Sequence, residues 1–459
     1  MIRKPFIQAL AAGAFLLSLS GCAGTPVRVG DGKVEKPLEE VTGITTEAVE
    51  KVSQKTEMNL WDVYSLAVER TEDLASKYEN IEQAGAQSQQ AVASILPQIF
   101  LNDKKNWQSS DYVSGAPNSL FNPLGNTVYL SGTETLLTGL NQLAAIQGAQ
   151  AQIDQNHHLL QQEARSLLLG VARSFYAVLQ AQDTLESKQE ILKLTQEILK
   201  QEQQWKAIGR SRDSDVLTTE AQLAQLNGDL ENAQNLLTQA RENLVVLANL
   251  KTDQHLKSDE LAISPAHSLE EVVAKVDDRS DVLAAKAAVD LSDAQLLQAH
   301  GEHLPSLSLQ GQYYLEQDGG SPTSDWNVQL VASLPLFEGG SIFAQERSAA
   351  SKKRQAEMQY SLTRRQALED IREAYQNLTS SLIQVDAYGK AMDAAKKDYE
   401  AVERDRKLAL NTSLDVLQAL TSLQNAQNNY NQAHYQALVN WVWLGVATNE
   451  LPKISKQNN

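Results

Sequence analysis

Between residues 223 and 247 the apolar positions fall at Leu223, Leu226, Leu230, Ala233, Leu237, Ala240, Leu244 and Leu247, alternating spacings of three and four. That 3.5-residue period is the seam of a coiled coil, one helix packed lengthwise on another. Leu423, Ala426, Tyr430, Ala433 and Ala437 draw a second seam near the carboxyl end. Large and small residues alternate along both, which lets neighbouring helices approach closely. Upstream, 141–208 contains no proline and is interrupted only by Gly148 and Gly170. At 1.5 Å per residue it predicts a helix of roughly 100 Å. No single globular core is that long, so such rods must lie side by side, within the chain or across an oligomer.

Elsewhere the period drops to two. Leu307, Leu309, Gly311, Tyr313 and Leu315 share one parity against Ser306, Ser308, Gln310, Gln312 and Glu316. In 325–336, Trp326, Val328, Leu330, Ala332, Leu334 and Leu336 alternate with Asp325, Asn327, Gln329 and Ser333. A wholly apolar face at period two predicts strands with lipid or core on one side. Each run is near the length of a tilted strand crossing a bilayer. The segment 317–324 between them is turn-rich, and Tyr313, Tyr314 and Trp326 lie toward it, as an interfacial aromatic belt would. A matching pair is predicted at about 98–107 and 125–136, joined by a longer loop with Pro117 and Pro123. There Asp103 and Lys105 share the parity of Ile99 and Leu101, so the first strand is expected to leave the membrane early, into an external loop.

The chain is duplicated. Leu60-Trp61-Asp62 through Leu96-Pro97-Gln98 parallels Leu269-Glu270-Glu271 through Leu304-Pro305-Ser306, with Asp73-Leu74 against Asp281-Val282. Val171 to Tyr176 parallels Asp370 to Tyr375, and Asp215-Val216-Leu217 parallels Asp415-Val416-Leu417. The offset is roughly 200 residues throughout, far longer than a solenoid or propeller repeat. The organisation predicted is a leader at 1–21, a polar tether at 22–58, repeats at 59–268 and 269–451, and a tail at 452–459.

Composition fits rods better than compact cores. Aromatics make up 6% of the 459 residues, and 40 Lys+Arg against 57 Asp+Glu leave a net charge of −17. An acidic chain is a poor nucleic-acid binder, since phosphate contact needs clustered cations. The one cysteine, Cys22, excludes an intramolecular disulfide and a CxxC zinc site. It follows a short leader with Arg3, Lys4 and an apolar stretch too brief to span a bilayer. Leu19-Ser20-Gly21-Cys22 resembles a bacterial lipobox, which implies cleavage before Cys22, acylation of its thiol (palmitate among the chains) and, with Ala23 following, sorting to the outer membrane. Acyl chains contribute about 0.8 kcal/mol per buried CH₂, so Cys22 is a sufficient anchor without a protein span.

With the duplication, the two Leu-Pro strand entries at Pro97 and Pro305, the strand exit Pro335-Leu336-Phe337-Glu338-Gly339-Gly340 and the two Asp-Val-Leu helix starts, the chain resembles the TolC-like outer-membrane efflux protein family from residue 58 onward. The resemblance implies a mainly α fold with a transmembrane β-barrel contribution. Four strands per protomer would build a twelve-stranded barrel in a homotrimer, above a periplasmic α-helical tube. Strand count points the same way, because four strands cannot close a barrel and an open edge in lipid is costly. The implied function is a passive exit duct for drugs or other small molecules, fed by an inner-membrane pump through a periplasmic adaptor and holding no cofactor. A type I protein-secretion duct and, in another class, a periplasmic coiled-coil adaptor or tether are the alternatives.

The tip turns are expected at 208–213, with Gly209 and Arg210, and at 410–413, with Asn411 and Thr412; the chain returns from Asp215 and Asp415. By resemblance, three copies of Asp415 form an acidic ring at the constriction, while Gln418 replaces its second acidic position and Arg406 and Asn411 stand where the family has a Tyr/Arg lock. Asp215 and Asp415 also suit helix starts, where a carboxylate satisfies free N–H groups. Glu400 to Lys407 reads as a solvated helix face and an adaptor-docking surface. His157 and His158 diverge on a helix; His300 and His303 share a face, but no carboxylate or thiol set completes a metal site. No HExxH, phosphate loop or nucleophile elbow appears, so no enzyme is predicted.

Overall fold

The computed structural model describes residues 39, 41–107, 124–248, 250, 254–258, 268–317, 324–408 and 410–450. Cys22, the leader and the tail at 452–459 lie outside them. The first repeat contains helices α1 (Thr46–Ser53), α2 (Leu60–Arg70) and α3 (Glu72–Ala93), with the short strand β1 (Glu57–Met58). Strands β2 (Gln98–Trp107) and β3 (Leu124–Thr138) follow, then the long helix α4 (Asn141–Ala207) and its return α5 (Asp213–Ala248). After β4 (His255–Leu256), which pairs in parallel with β1, the second repeat runs through α6 (Leu269–Val273), a 3₁₀ turn and α7 (Ser280–Gly301). It continues with β5 (Ser306–Gln317), β6 (Trp326–Ser333), α8 (Ser341–Lys407) and α9 (Ser413–Ala447). Both α4 and α8 have 67 residues, rods of roughly 100 Å.

The helices form a wall one layer thick. In the half next to the strands, α3 packs on α4, α4 on α7 and α7 on α8; in the far half α5, α4, α9 and α8 adjoin in that order. The predicted seams are the faces that pack. Leu226, Ala233 and Leu244 are buried on α5, with Leu223, Leu230, Leu237, Ala240 and Leu247 half-buried between them. On α9, Leu423, Ala433 and Ala437 are buried. The largest core lies midway, where Tyr64, Leu160, Phe175 and Leu438 meet and Tyr64 Oη donates to the Ala164 carbonyl at 3.0 Å.

The four strands form one antiparallel sheet in the order β2-β3-β5-β6. Leu309 faces Leu330, Gly311 faces Val328 and Tyr313 faces Trp326, so the apolar parities coincide on one side. Ile99 and Leu101 oppose Gly132 and Leu130 on that side. The other side is polar: Asn102 Nδ2 donates to Ser131 Oγ at 2.8 Å and Asn327 Nδ2 to Gln312 Oε1 at 3.3 Å. At the foot of the sheet the backbones come together. A Cβ on Gly139, whose φ is +59°, would collide with the Gly301 carbonyl oxygen and lie 2.9 Å from Leu304 Cβ, so only glycine fits.

Three expectations need correction. β2 does not give way to a loop after Asn102: it pairs with β3 as far as Trp107, which keeps the facing β3 backbone groups paired. The charges that argued for an exit face each other, with Lys105 Nζ 3.9 Å from Asp103 Oδ2. β6 stops at Ser333 rather than near 336, since Pro335 has no N–H and constrains Leu334. The tether is shorter than 22–58: Thr45 caps α1, and Val49, Val52 and Met58 enter the main core.

A half-buried imidazole makes the fold acid-sensitive. His434 on α9 stacks on Tyr430 (centroids 5.9 Å apart) and meets Tyr435 edge-on at 5.3 Å. Burial lowers its pKa from 6.5 against the opposing pull of Asp183. As pH falls through 6.5, the unfolded chain takes up a proton that the folded chain resists, so stability is lost on acidification. From neutral to about pH 5 the thermal midpoint is expected to drop less in His434→Phe than in wild type. Equal drops in a scanning-calorimetry series would refute this.

Candidate functional site at the helical tips

The first tip is made by Gly209, whose φ of +73° is left-handed. Its N–H donates to the Lys206 carbonyl at 3.0 Å and that of Arg210 to the Trp205 carbonyl at 2.8 Å, closing the end of α4. Arg210 is exposed, and Asp215 Oδ2 accepts from the Arg212 N–H at 3.3 Å as α5 begins. The second tip follows the same plan, with the Leu410 N–H on the Asp405 carbonyl at 2.9 Å. Thr412 then caps α9 in a reciprocal box. The Asp415 N–H donates to Thr412 Oγ1 at 3.3 Å, and Asp415 Oδ2 accepts from the Thr412 N–H at 2.8 Å. The Thr412 hydroxyl also donates to Asp415 Oδ2, at 2.6 Å, and these bonds hold the Asp415 carboxyl below its ordinary value. Asp415 and Gln418 are exposed, one helical turn apart on one face. Asn411 is half-buried in the turn before them.

Between the two tips lies a polar cluster that the sequence did not announce. Glu202 near the end of α4 is 1% exposed and Arg406 near the end of α8 is 3% exposed. Arg406 Nη2 donates to Glu202 Oε1, which also accepts from the Ser413 hydroxyl at the start of α9. Glu202 Oε2 accepts from the Ser211 hydroxyl of the first turn. The Arg406 guanidinium stands 5.0 Å from the Trp205 ring centroid, a cation–π contact. One carboxylate thus gathers groups from both tips. The coupling is incomplete, because Arg406 Nε is buried without a partner among the described residues. A cavity of about 80 Å³ lined by Ile198, Tyr399 and Glu403 adjoins it. The Tyr399 phenol is raised, first by burial and then by Glu403. The run Glu400 to Lys407 is therefore not a purely solvated face: its Arg406 turns inward to the one buried carboxylate within reach.

The remaining predicted residues lie at the other end of the rods. Pro97 and Pro305 immediately precede β2 and β5. Pro335, Phe337 (88% exposed), Gly339 and Gly340 (φ +64° and +86°) join β6 to α8. The histidine pair acquires a carboxylate that spacing could not reveal: His303 Nε2 lies 3.2 Å and His300 Nε2 3.9 Å from Glu346 on α8. His158 Nδ1 lies 3.3 Å from Gln161 Oε1, while among the described residues no three His, Cys, Asp or Glu are grouped to hold a metal ion. No described helix is long and apolar enough to cross a membrane.

The sequence model described as outer membrane efflux protein matches residues 63–250 and 276–450. Outer membrane protein TolC of Salmonella enteritidis is 25% identical over 433 residues, covering 89% of this chain and 85% of its own length. The alkaline protease secretion protein AprF of Pseudomonas aeruginosa is 22% identical, with 84% and 83% covered. The crystal structure of the outer membrane protein VceC from Vibrio cholerae has a similar fold, with a TM-score of 0.75 at 19% identity over 86% of this chain and 97% of that one.

Proposed function

The chain belongs to the outer membrane efflux protein family and is an outer-membrane protein; from this we propose that it is the exit duct of a tripartite export system. Substrates pass through it passively from an inner-membrane pump and a periplasmic adaptor to the exterior. One observation carries the reading: an apolar-faced sheet of four strands, with β2 and β6 as open edges, crowns rods of 67 residues. Three copies close the strands into a barrel, which removes edges that cost several kcal/mol per unpaired group in hydrocarbon. The polar sheet face then lines water and the helices extend the bore. Acylated Cys22 ties each copy to the membrane. A periplasmic adaptor needs no lipid-facing sheet, which weighs against that alternative. Purified full-length chain in detergent is expected to run as a heat-stable trimer and to give single-channel conductance in planar bilayers. A non-conducting monomer refutes the duct. A protein-secretion duct keeps some support from the likeness to AprF, a secretion protein. Drug-susceptibility profiling of a deletion strain, alongside a comparison of its secreted proteins, separates the two cargoes.

The tips are the gate in this reading. Asp415 is exposed and its capping bonds keep it ionised well into the acid range, so three copies around an axis present fixed negative charge to passing cations. Asp415→Ala is expected to weaken block of the conductance by multivalent cations several-fold. Unchanged block removes the ring while leaving the helix-capping role intact.

A further inference from the structure

Between β6 and α8 runs a segment whose side chains barely touch the rest of the chain. Leu336 is 89% and Phe337 88% exposed, and Leu334 before them is exposed as well. The segment is nonetheless held in place. Gly339 and Gly340 both take left-handed φ, +64° and +86°, and the Ser341 N–H donates to the Glu338 carbonyl at 3.1 Å. An ordered turn thus presents two large apolar side chains outward, and a continuous exposed apolar patch marks a surface that meets a partner.

The first repeat shows what the segment would otherwise be. Helices α4 and α8 begin at matching places, Asn141 and Ser341, which puts Leu336 and Phe337 opposite Leu136 and Leu137 in the repeat. There β3 continues to Thr138, and Leu137 pairs with Leu307 inside the sheet. In the second repeat Pro335 supplies no N–H, the ladder stops at Ser333, and the same apolar pair hangs below the last rung.

Length points to what covers it. The 8 residues of β6, at about 3.4 Å each and a tilt of about 40°, span roughly 20 Å, whereas the apolar band of a membrane barrel is about 25 Å tall. β3 and β5, with 15 and 12 residues, are long enough. Leu334 and Leu336 keep the parity of Val328, Leu330 and Ala332, so apolar residues outside the ladder make up the missing height. The aromatic positions agree. Tyr313 and Trp326 face each other across the last rung between β5 and β6, toward the outer turn. At the opposite end Phe337 is exposed, as is Phe343 in the first turn of α8. Barrels carry an aromatic girdle at each edge of the apolar band.

Given the duct reading above, in which the apolar side of the sheet meets lipid, we infer that Leu334, Leu336, Phe337 and Phe343 form a lipid-binding foot set into the periplasmic leaflet of the outer membrane. Its partner is the glycerol and upper acyl region of a phospholipid, where aromatic rings are favoured. The foot completes the apolar band on the side where the ladder fails, and it places the membrane surface at the turn Glu338–Ser341, where α8 begins. A second copy is the competing occupant. Pro335 ends the ladder before this segment, so continued strand pairing between copies does not reach it.

Full-length protein carrying Leu336→Cys or Phe337→Cys is labelled with an environment-sensitive fluorophore and reconstituted into phosphatidylethanolamine–phosphatidylglycerol vesicles, with circular dichroism to confirm folding. Val328→Cys on the apolar sheet face and Ser214→Cys at the first tip are the references, and wild type labelled in parallel measures any signal from Cys22. Quenching is read with a spin label carried high on the phospholipid chain and with aqueous iodide. Both foot positions are expected to be quenched several-fold more than Ser214→Cys by the lipid-borne label, and several-fold less by iodide. Iodide reaching them as freely as it reaches Ser214→Cys, while Val328→Cys responds to the lipid label, overturns the foot and leaves the duct standing. Protection from both quenchers also overturns it, because a neighbouring copy then covers the loop. If Val328→Cys itself is quenched only by iodide, the sheet is not in lipid, and the duct reading falls with the foot. Each of the two positions reports independently, so one variant that fails to fold leaves the other to decide.

Discussion

Arg406→Ala is expected to loosen the contact between the two helical tips without disturbing the rods above it. The substitution leaves the Glu202 carboxylate, 1% exposed, with only the Ser211 and Ser413 hydroxyls for company. Breaking a buried pair from one side costs about 3–5 kcal/mol, far more than any exposed pair on these helices contributes. That is a roughly 150- to 5,000-fold shift in the local opening equilibrium. Faster amide exchange should be confined to the ends of α4 and α8 and the turns that follow, with a larger single-channel conductance. The comparison that isolates the charge is Glu202→Leu with Arg406→Leu. Removing both ions at once should be close to neutral in stability, because desolvation offsets most of what the pair contributes. If the tip exchange is unchanged in Arg406→Ala, the pair is not what holds the tips together.

Leu330→Arg is expected to block membrane assembly, whereas Gln329→Arg one position away is tolerated. Leu330 sits mid-strand on the face shared by Leu309, Val328 and Ile99, and is 64% exposed in the single chain. A cation at the midplane of a barrel's lipid face costs about 2–4 kcal/mol, and in the proposed trimer the single barrel would carry three of them. Gln329 pairs with Gln310 on the polar face, where an added arginine remains in water. Folding yield into lipid vesicles, read by the mobility shift of the folded barrel on gels, distinguishes the two. Equal yields would reverse the assignment of the faces.

Local pattern makes most of the architecture legible. The period-two runs locate β5 and most of β6, the seams locate the packed faces of α5 and α9, and the absence of proline locates α4 to within a residue of its end. What cannot be read are contacts between distant segments. Glu202 and Arg406 are 204 positions apart and each sits in an ordinary polar stretch; only two rods of equal length, ending together on either side of α9, bring them within reach. The same holds for Glu346 with His300 and His303 at the end of α7. The strand through Asp103 and Lys105 misleads when each charge is weighed alone, because in the sheet they neutralise one another. The folded part of 44–58 is hard to see in the sequence because α1 is only 8 residues long, too short for periodicity to stand out.

The equal length of α4 and α8 makes the molecule a ruler graduated in heptads. Seven residues advance a helix by about 10 Å and return its seam to nearly the same face. An insertion in one rod alone would carry Glu202 and Arg406 past each other. An insertion in all four arms of the two hairpins would keep every seam in register and move the tips bodily. The distance from the sheet to the tips can therefore change only in steps.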